Sequence, residues 1–187
     1  ARLARLREAH EHAERWQAHA DEIKADIIEH GCKNGVFTQH YETESLDASA
    51  LLIPLVRFLP PEDDRVRKTV LAIADHLTID GLVLRYKVED TDDGLVGEEG
   101  TFTICSFWLV SALSEIGEHS LARDLCQKLL GYASPLHLYA EEIDPRSGRH
   151  LGNFPQAFTH LALINAIMHV IRADEKLAKG IQPLSAQ

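Results

Sequence analysis

A repeat of about 54 residues in the apolar pattern constrains this chain more than any other feature. Amphipathic helices are predicted to start near positions 11, 64 and 118, and more fully apolar helices near 47, 101 and 155. Each unit is then an outer helix, a long polar loop and an inner helix. Such a unit is longer than a tetratricopeptide or ankyrin repeat, and a HEAT pair has no need of such long loops. Concentric outer and inner helices fit an all-α, α/α toroid. The loops 33–46, 80–99 and 133–154 each precede an inner helix, so all three are expected at one end of it. Loops of that length in a compact domain usually carry function.

The helices follow from spacing and caps. Trp16, Ala20, Ile23 and Ile27 mark the first, ending at Gly31 as a C-cap glycine. The second runs from Asp47 or Ser45 as N-cap through Leu51, Leu55 and Phe58, and Pro60-Pro61 stops it. The third begins about Asp64 and carries Val66, Val70, Ile73 and Leu77. The fourth, from near Gly100, is apolar almost all round (Phe102, Ile104, Cys105, Phe107, Trp108, Leu109), as a buried helix should be. The fifth spans 120–130 with Leu121, Leu125 and Leu129 on one face, ending at Gly131. The sixth starts at Pro155, a favoured first-turn residue, and carries Phe158, Leu161, Ile164, Ile167 and Val170, with Met168 in the core.

The opening ARLARLREAH resembles the tail of a helix begun upstream, and three units cannot close a ring of six. Residues 1–187 are therefore expected to be the C-terminal portion of one larger domain, its exposed inner-helix flanks favouring self-association or a tightly held upstream piece. The alternative is a complete open α-solenoid serving as a noncatalytic interaction module.

Bulk properties narrow the partners. A net charge of −10 supplies no basic face for phosphates, which excludes ordinary nucleic-acid binding and suits neutral ligands such as sugars. No apolar run is long enough for a bilayer, and the N-terminal stretch is broken by Arg and Glu, so neither a membrane partner nor a signal peptide is expected. Cys32, Cys105 and Cys126 form no CxxC pair, which points to reduced thiols and a cytoplasmic location. The 11 histidines show no two-histidine-plus-acid arrangement; His160 and His169 are expected to pack or hydrogen-bond within the core. No metal site, nucleotide fingerprint or nucleophile elbow is present, and no cofactor is implied.

The chemistry-bearing residues lie in the loops. The third holds Glu141-Glu142 before a buried helix: one carboxylate could face a cavity for acid/base work while the other caps, binds a hydroxyl or meets solvent. The second holds Arg85-Tyr86, then Asp90, Asp92 and Asp93, then Glu98-Glu99-Gly100. The Arg85 fork can donate to sugar hydroxyls or hold a carboxylate; Tyr86 can stack on a pyranose or pack under the loop. Glu98 and Glu99 also suit the positive end of the following helix. In the first loop, Gln39, His40, Tyr41, Glu42 and Glu44 can line a subsite or cap a helix.

Three stretches carry a resemblance: LYAEEIDPRSGRHLGNFPQAFTHLALINA, RYKVEDTDDGLVGEEGTFTICSFWL and GVFTQHYETESLDASALLIPLVRFLP. In this order they resemble the C-terminal catalytic region of the glucoamylase, glucodextranase and trehalase family of inverting glycoside hydrolases (glycoside hydrolase family 15). The resemblance implies an (α/α)6 barrel of which this chain holds about three outer/inner units. It implies an α-glucoside substrate, either α,α-trehalose or the end of an α-glucan, with no cofactor. By the same resemblance the general base maps onto Glu141 and a substrate-contacting Arg-aromatic pair onto Arg85-Tyr86. Glu99 takes a substrate-binding role by the resemblance, and Glu142, the acid beside the base, is expected to bind a sugar hydroxyl. The family's general acid belongs to an upstream Trp-Glu motif, and no Trp-Glu pair occurs in this chain.

Overall fold

Outer and inner helices alternate as the period requires. The computed structural model describes residues 1–88 and 100–180. After a short α1 (Arg2–Leu6), the outer helices are α2 (His10–His30), α4 (Asp64–His76) and α6 (His119–Leu130). The inner elements are a 3₁₀ turn at Ala48–Leu51 continued by α3 (Leu52–Leu55), then α5 (Thr103–Glu115) and α7 (Ala157–Ala178). Asp47 and Asp63 cap their helices by accepting the N–H groups of Ser49 and Arg65, at 2.7 and 2.9 Å.

α5 is the centre of the stack. Its apolar surface runs all round, and Phe107, Leu109, Val110 and Leu113 are buried against α3, α6 and above all α7. α7 turns small residues (Thr159, Ala162, Ala166) into the core, which lets the two inner helices approach closely.

Short strands sit between the helices, and the polar loops expected there conceal two hairpins. β1 (Cys32–Lys33) pairs with β2 (Val36–Phe37), and β3 (Thr78–Ile79) with β4 (Leu82–Val83). Each is closed by a two-residue turn, Asn34-Gly35 and Asp80-Gly81, with positive φ at both positions. That is the type I′ geometry whose twist matches the flanking strands. β5 (Thr101–Phe102), β6 (Glu142–Ile143) and β7 (His150–Leu151) form one antiparallel sheet. It ties the second loop to the third, while the Ala48 N–H donates to the Arg85 carbonyl at 2.8 Å and ties the first to the second. The three loops therefore share one end.

Several expectations need correction. The first inner helix is much shorter than 47–58: Arg57 adopts a left-handed φ of 61°, and the N–H groups of Phe58 and Arg57 turn back to the Ile53 and Pro54 carbonyls, a Schellman stop. Pro155 is not in the first turn of α7 but follows a cis peptide before the Gln156 cap. The apolar stripes of the terminal helices are only partly core: Ile27 on α2 and Ile167 and Val170 on α7 pack against it, and the rest stand open. Trp16 and Ile23 on α2 are 46% and 59% exposed, Phe158, Leu161 and Ile164 on α7 are similarly open, and Met168 is 40% exposed. Periodicity marks the apolar side of a helix without saying whether a neighbour covers it, and these helices lie at the two ends of the stack. No helix among the described residues is long and apolar enough to cross a membrane.

Ion pairs link successive units, Arg67 with Glu118 and Glu115 with both Arg57 (2.8 Å) and His169 (3.2 Å), and Arg123 with Asp174 joins the two helices of the last unit. The His169 hydrogen bond, helped by the Arg57 charge, holds the Glu115 carboxyl below the usual carboxylate range. A lowered folded value gives stability that is full above the unfolded carboxylate pKa of about 4.3. That stability is lost as the pH falls through the folded value. Glu115→Gln in the full-length protein is expected to cost about 1–3 kcal/mol near neutrality. The deficit should close below about pH 4. Urea melts of both proteins at neutral and acid pH check this; an equal deficit at both would contradict it.

Candidate active site

The segment Tyr139-Ala140-Glu141 enters β6 with its backbone held on both edges. The Tyr139 N–H donates to His160 Nε2 at 3.3 Å, and its carbonyl accepts the Gln156 N–H at 2.9 Å. The Ala140 carbonyl accepts the buried Thr159 hydroxyl at 3.2 Å. The Glu141 N–H donates to the Asn153 carbonyl, and its own carbonyl accepts the Thr103 N–H, both at 2.9 Å. The first turn of α7 and the start of α5 thus fix the backbone that carries Glu141. His160 contacts the Gln156 carbonyl through Nδ1 at 2.7 Å. With Nε2 accepting from Tyr139, Nδ1 is the protonated nitrogen. Below, the buried Tyr139 ring meets Phe107 edge-on at 5.5 Å and donates its hydroxyl to the carbonyls of Leu129 and Leu130 at the end of α6.

The two adjacent carboxylates go to different partners. Glu141 Oε2 accepts from the Asn153 N–H at 3.2 Å and from Nδ2 at 3.0 Å; among the described residues Oε1 accepts no hydrogen bond. Glu142 Oε2 accepts the Gly100 N–H at 3.0 Å. Each approach needs a glycine. A Cβ on Gly152, whose φ is +68°, would lie 2.9 Å from Glu141 Oε2, and one on Gly100 would lie 2.7 Å from Glu142 Oε2.

Arg85 and Tyr86 line a cleft of about 980 Å³ together with Gly100, Asp144, Arg146 and Leu151. The Arg85 guanidinium lies 5.6 Å from the Tyr86 ring centre. The cleft therefore brings together Arg85, Tyr86 and, through Gly100, Glu142. Glu141 is not one of its lining residues and sits beside Asn153 instead. Glu99, with Asp90, Asp92, Asp93 and Glu98, lies outside the described residues.

Other groups near the loops are structural. Burial, with the Asp47 charge adding and Arg85 opposing, pushes the Cys105 thiol up to about 12, so it stays protonated and is no nucleophile. Tyr41 does not face the second-loop cleft: its hydroxyl donates to Asp26 of α2 at 2.6 Å and its ring stands beside His30. Among the described residues no three His, Cys, Asp or Glu side chains converge to hold a metal ion. Reading the loops for acids and aromatics passed over Asn153, Gly152, Gln156 and Thr159, while His160 hydrogen-bonds and packs as expected. Only Gly152, just past a Gly148 turn and ahead of a proline, gave a local signal that backbone must come close there.

The chain matches the family described as glycosyl hydrolases family 15 over residues 1–120 and again over 116–168. It is 71% identical to a trehalase of Mycobacterium tuberculosis over 189 aligned residues, covering 100% of this chain and 28% of that protein. It is 68% identical to a trehalase of Mycolicibacterium smegmatis, over 94% of this chain and 26% of the relative. Identity to a trehalase of Thermoplasma volcanium is 39%, over 80% and 24%. The chain thus spans about a quarter of the length of these relatives. Two solved glycosidase structures share the fold: a wild-type form (TM-score 0.69, 20% identity) and a variant in complex with glucose (TM-score 0.70, 19% identity). Each match covers 91% of this chain and 45% of the other.

Proposed function

The chain belongs to glycosyl hydrolases family 15, and on that premise we propose that residues 1–187 are the C-terminal part of a catalytic domain hydrolysing α,α-trehalose with inversion, Glu141 being the general base. The observation that carries the role of Glu141 is its asymmetry. Its backbone is pinned between Thr103 and Asn153, one carboxylate oxygen is occupied, and the other accepts no hydrogen bond among the described residues. Glu142, by contrast, is engaged with the backbone that opens the inner helix. Trehalose is preferred to an α-glucan end because the similar proteins are named trehalases.

In this mechanism an acid outside the chain protonates the oxygen between the two glucose units. Glu141 Oε1 takes a proton from water, whose oxygen bonds to the anomeric carbon from the opposite face as the old C–O bond breaks. Arg85 and Tyr86 hold the sugar by forked donation and by the ring face, and Glu142 and Glu99 meet its hydroxyls. The three units are half of an (α/α)6 toroid, and the rest of the domain covers the open faces of α2 and α7. Exposed apolar rows of this extent on both terminal helices support that arrangement.

Inversion fixes the products. The attacked glucose is released as the β anomer and the leaving glucose keeps its α configuration. Early proton NMR spectra of trehalose turnover by the full-length protein should show the two anomers in equal amounts. Release of α-glucose alone would exclude inversion, and no turnover of trehalose, maltose or isomaltose would favour the interaction module.

Gly152→Ala is expected to lower kcat by about 10–100-fold, because an added Cβ must displace the Glu141 carboxylate and misplacement by ~1 Å can cost that much. A Gly152→Ala protein with unchanged circular dichroism and unchanged kcat would contradict that placement.

A further inference from the structure

Asn153 lies on the exposed rim, where water competes for its amide, and the loop does not need that amide for closure. The Asn153 carbonyl already accepts the Glu141 N–H at 2.9 Å, and β6 and β7 pair through residues on either side of the turn. The side chain nevertheless reaches back to Glu141. A carboxylate only accepts, so the NH₂ end of the amide must face it. Nδ2 at 3.0 Å and the Asn153 backbone nitrogen at 3.2 Å then donate to one and the same oxygen, Oε2. Gly152, left-handed and without a side chain, leaves the space in which this happens.

Two donors on one oxygen do two things. They single out Oε2 from Oε1, and they fix the plane of the carboxylate, so the two oxygens are no longer equivalent. Among the described residues Glu141 makes no ion pair. The neighbouring carboxylate of Glu142 goes to Gly100, Thr103 donates its N–H to the Glu141 carbonyl, and His160 meets the backbone and ring of Tyr139. Asn153 is therefore the side chain placed to tune this group.

We propose that Asn153 is the positioning residue of the general base, clamping Oε2 of Glu141 so that Oε1 alone receives the proton of the attacking water. The inference rests on Glu141 being the base. A merely structural Asn153 would affect melting but not the pH profile of kcat, and that separates the two roles.

The test uses the full-length protein with trehalose, comparing Asn153→Asp, Asn153→Ala and Glu141→Gln over the whole pH range of activity. Asn153→Asp keeps the shape and sets a second carboxylate against Oε2. Its acidic limb in kcat should move up by about one pH unit or more, with activity returning above the limb. Asn153→Ala should lower kcat by about tenfold or more with KM changed less than about threefold, and should move the same limb upward to a smaller degree. Should Asn153→Asp fail to fold, Asn153→Ala, which keeps the backbone bonds, still reports through its limb. Limbs and kcat at the wild-type position overturn the inference, even if melting temperature drops. If Glu141→Gln is inactive while both Asn153 variants behave as wild type, only the positioning role fails. If Glu141→Gln keeps most of its turnover, the base itself is misassigned and the inference falls with it.

Discussion

Turnover of trehalose by the full-length protein is expected to fall by about 10²–10⁴-fold when Glu141 is replaced by Gln, the usual range for removing a general base. Gln keeps the size and can still accept from Asn153, so the fold and the ground-state complex should survive. The lost interaction belongs to the transition state, because only there does a proton move to Oε1. KM should therefore change little. Glu142→Gln is expected to behave differently. Its carboxylate is tied to Gly100 at the edge of the cleft that Arg85 and Tyr86 line. Weakening that tie should raise KM more than it lowers kcat. Steady-state kinetics of the two variants side by side decide between them. A Glu142→Gln variant more damaged in kcat than Glu141→Gln would exchange the roles.

Phe107→Ala should be the most destabilising single change, at about 3–5 kcal/mol. Phe107 is fully buried on α5, the one helix that packs against every other inner element, and its ring meets Tyr139 edge-on. Truncation opens a cavity under Tyr139, two residues from Glu141. The loss in activity should therefore exceed the fraction unfolded. Phe107→Leu keeps most of the volume and should cost under about 1.5 kcal/mol. Urea unfolding of the full-length protein, followed with activity in the same samples, checks both. A Phe107→Ala protein as stable as the parent would remove α5 from the centre of the core.

The repeat was legible because helix burial writes a 3.6-residue period into the chain, and α2, α4 and α6 begin within a residue of where that period put them. The hairpins were legible too, and were passed over. Asn34-Gly35, followed by Val36-Phe37, and Asp80-Gly81, between Thr78-Ile79 and Leu82-Val83, are strong local hairpin signals. Reading those stretches only as polar loops missed them. The early stop of α3 was less visible, since it turns on Arg57 taking a conformation that glycine usually supplies.

Of the site, the acids and the Arg-Tyr pair could be picked out by residue type, but adjacent Glu141 and Glu142 could not be told apart by spacing. Family resemblance singled out Glu141. Its geometry follows from a contact with Asn153 that exists only once the 144–149 turn closes the β6–β7 hairpin. No local pattern encodes that contact, and none tells that Asn153 rather than a neighbouring polar residue would meet the carboxylate.

The role of Glu141 is tested most directly by replacing it with Ala in the full-length protein and supplying azide with trehalose. Removing the side chain leaves room on the face from which water attacks, and azide, already a nucleophile, needs no base. Azide would bond to the anomeric carbon as the acid protonates the departing glucose oxygen. The expected result is a low rate without azide, a rate rising with azide concentration, and β-glucosyl azide as the product seen by NMR. Unchanged hydrolysis by Glu141→Ala, or an α-glucosyl azide, would contradict Glu141 as the base of an inverting hydrolysis.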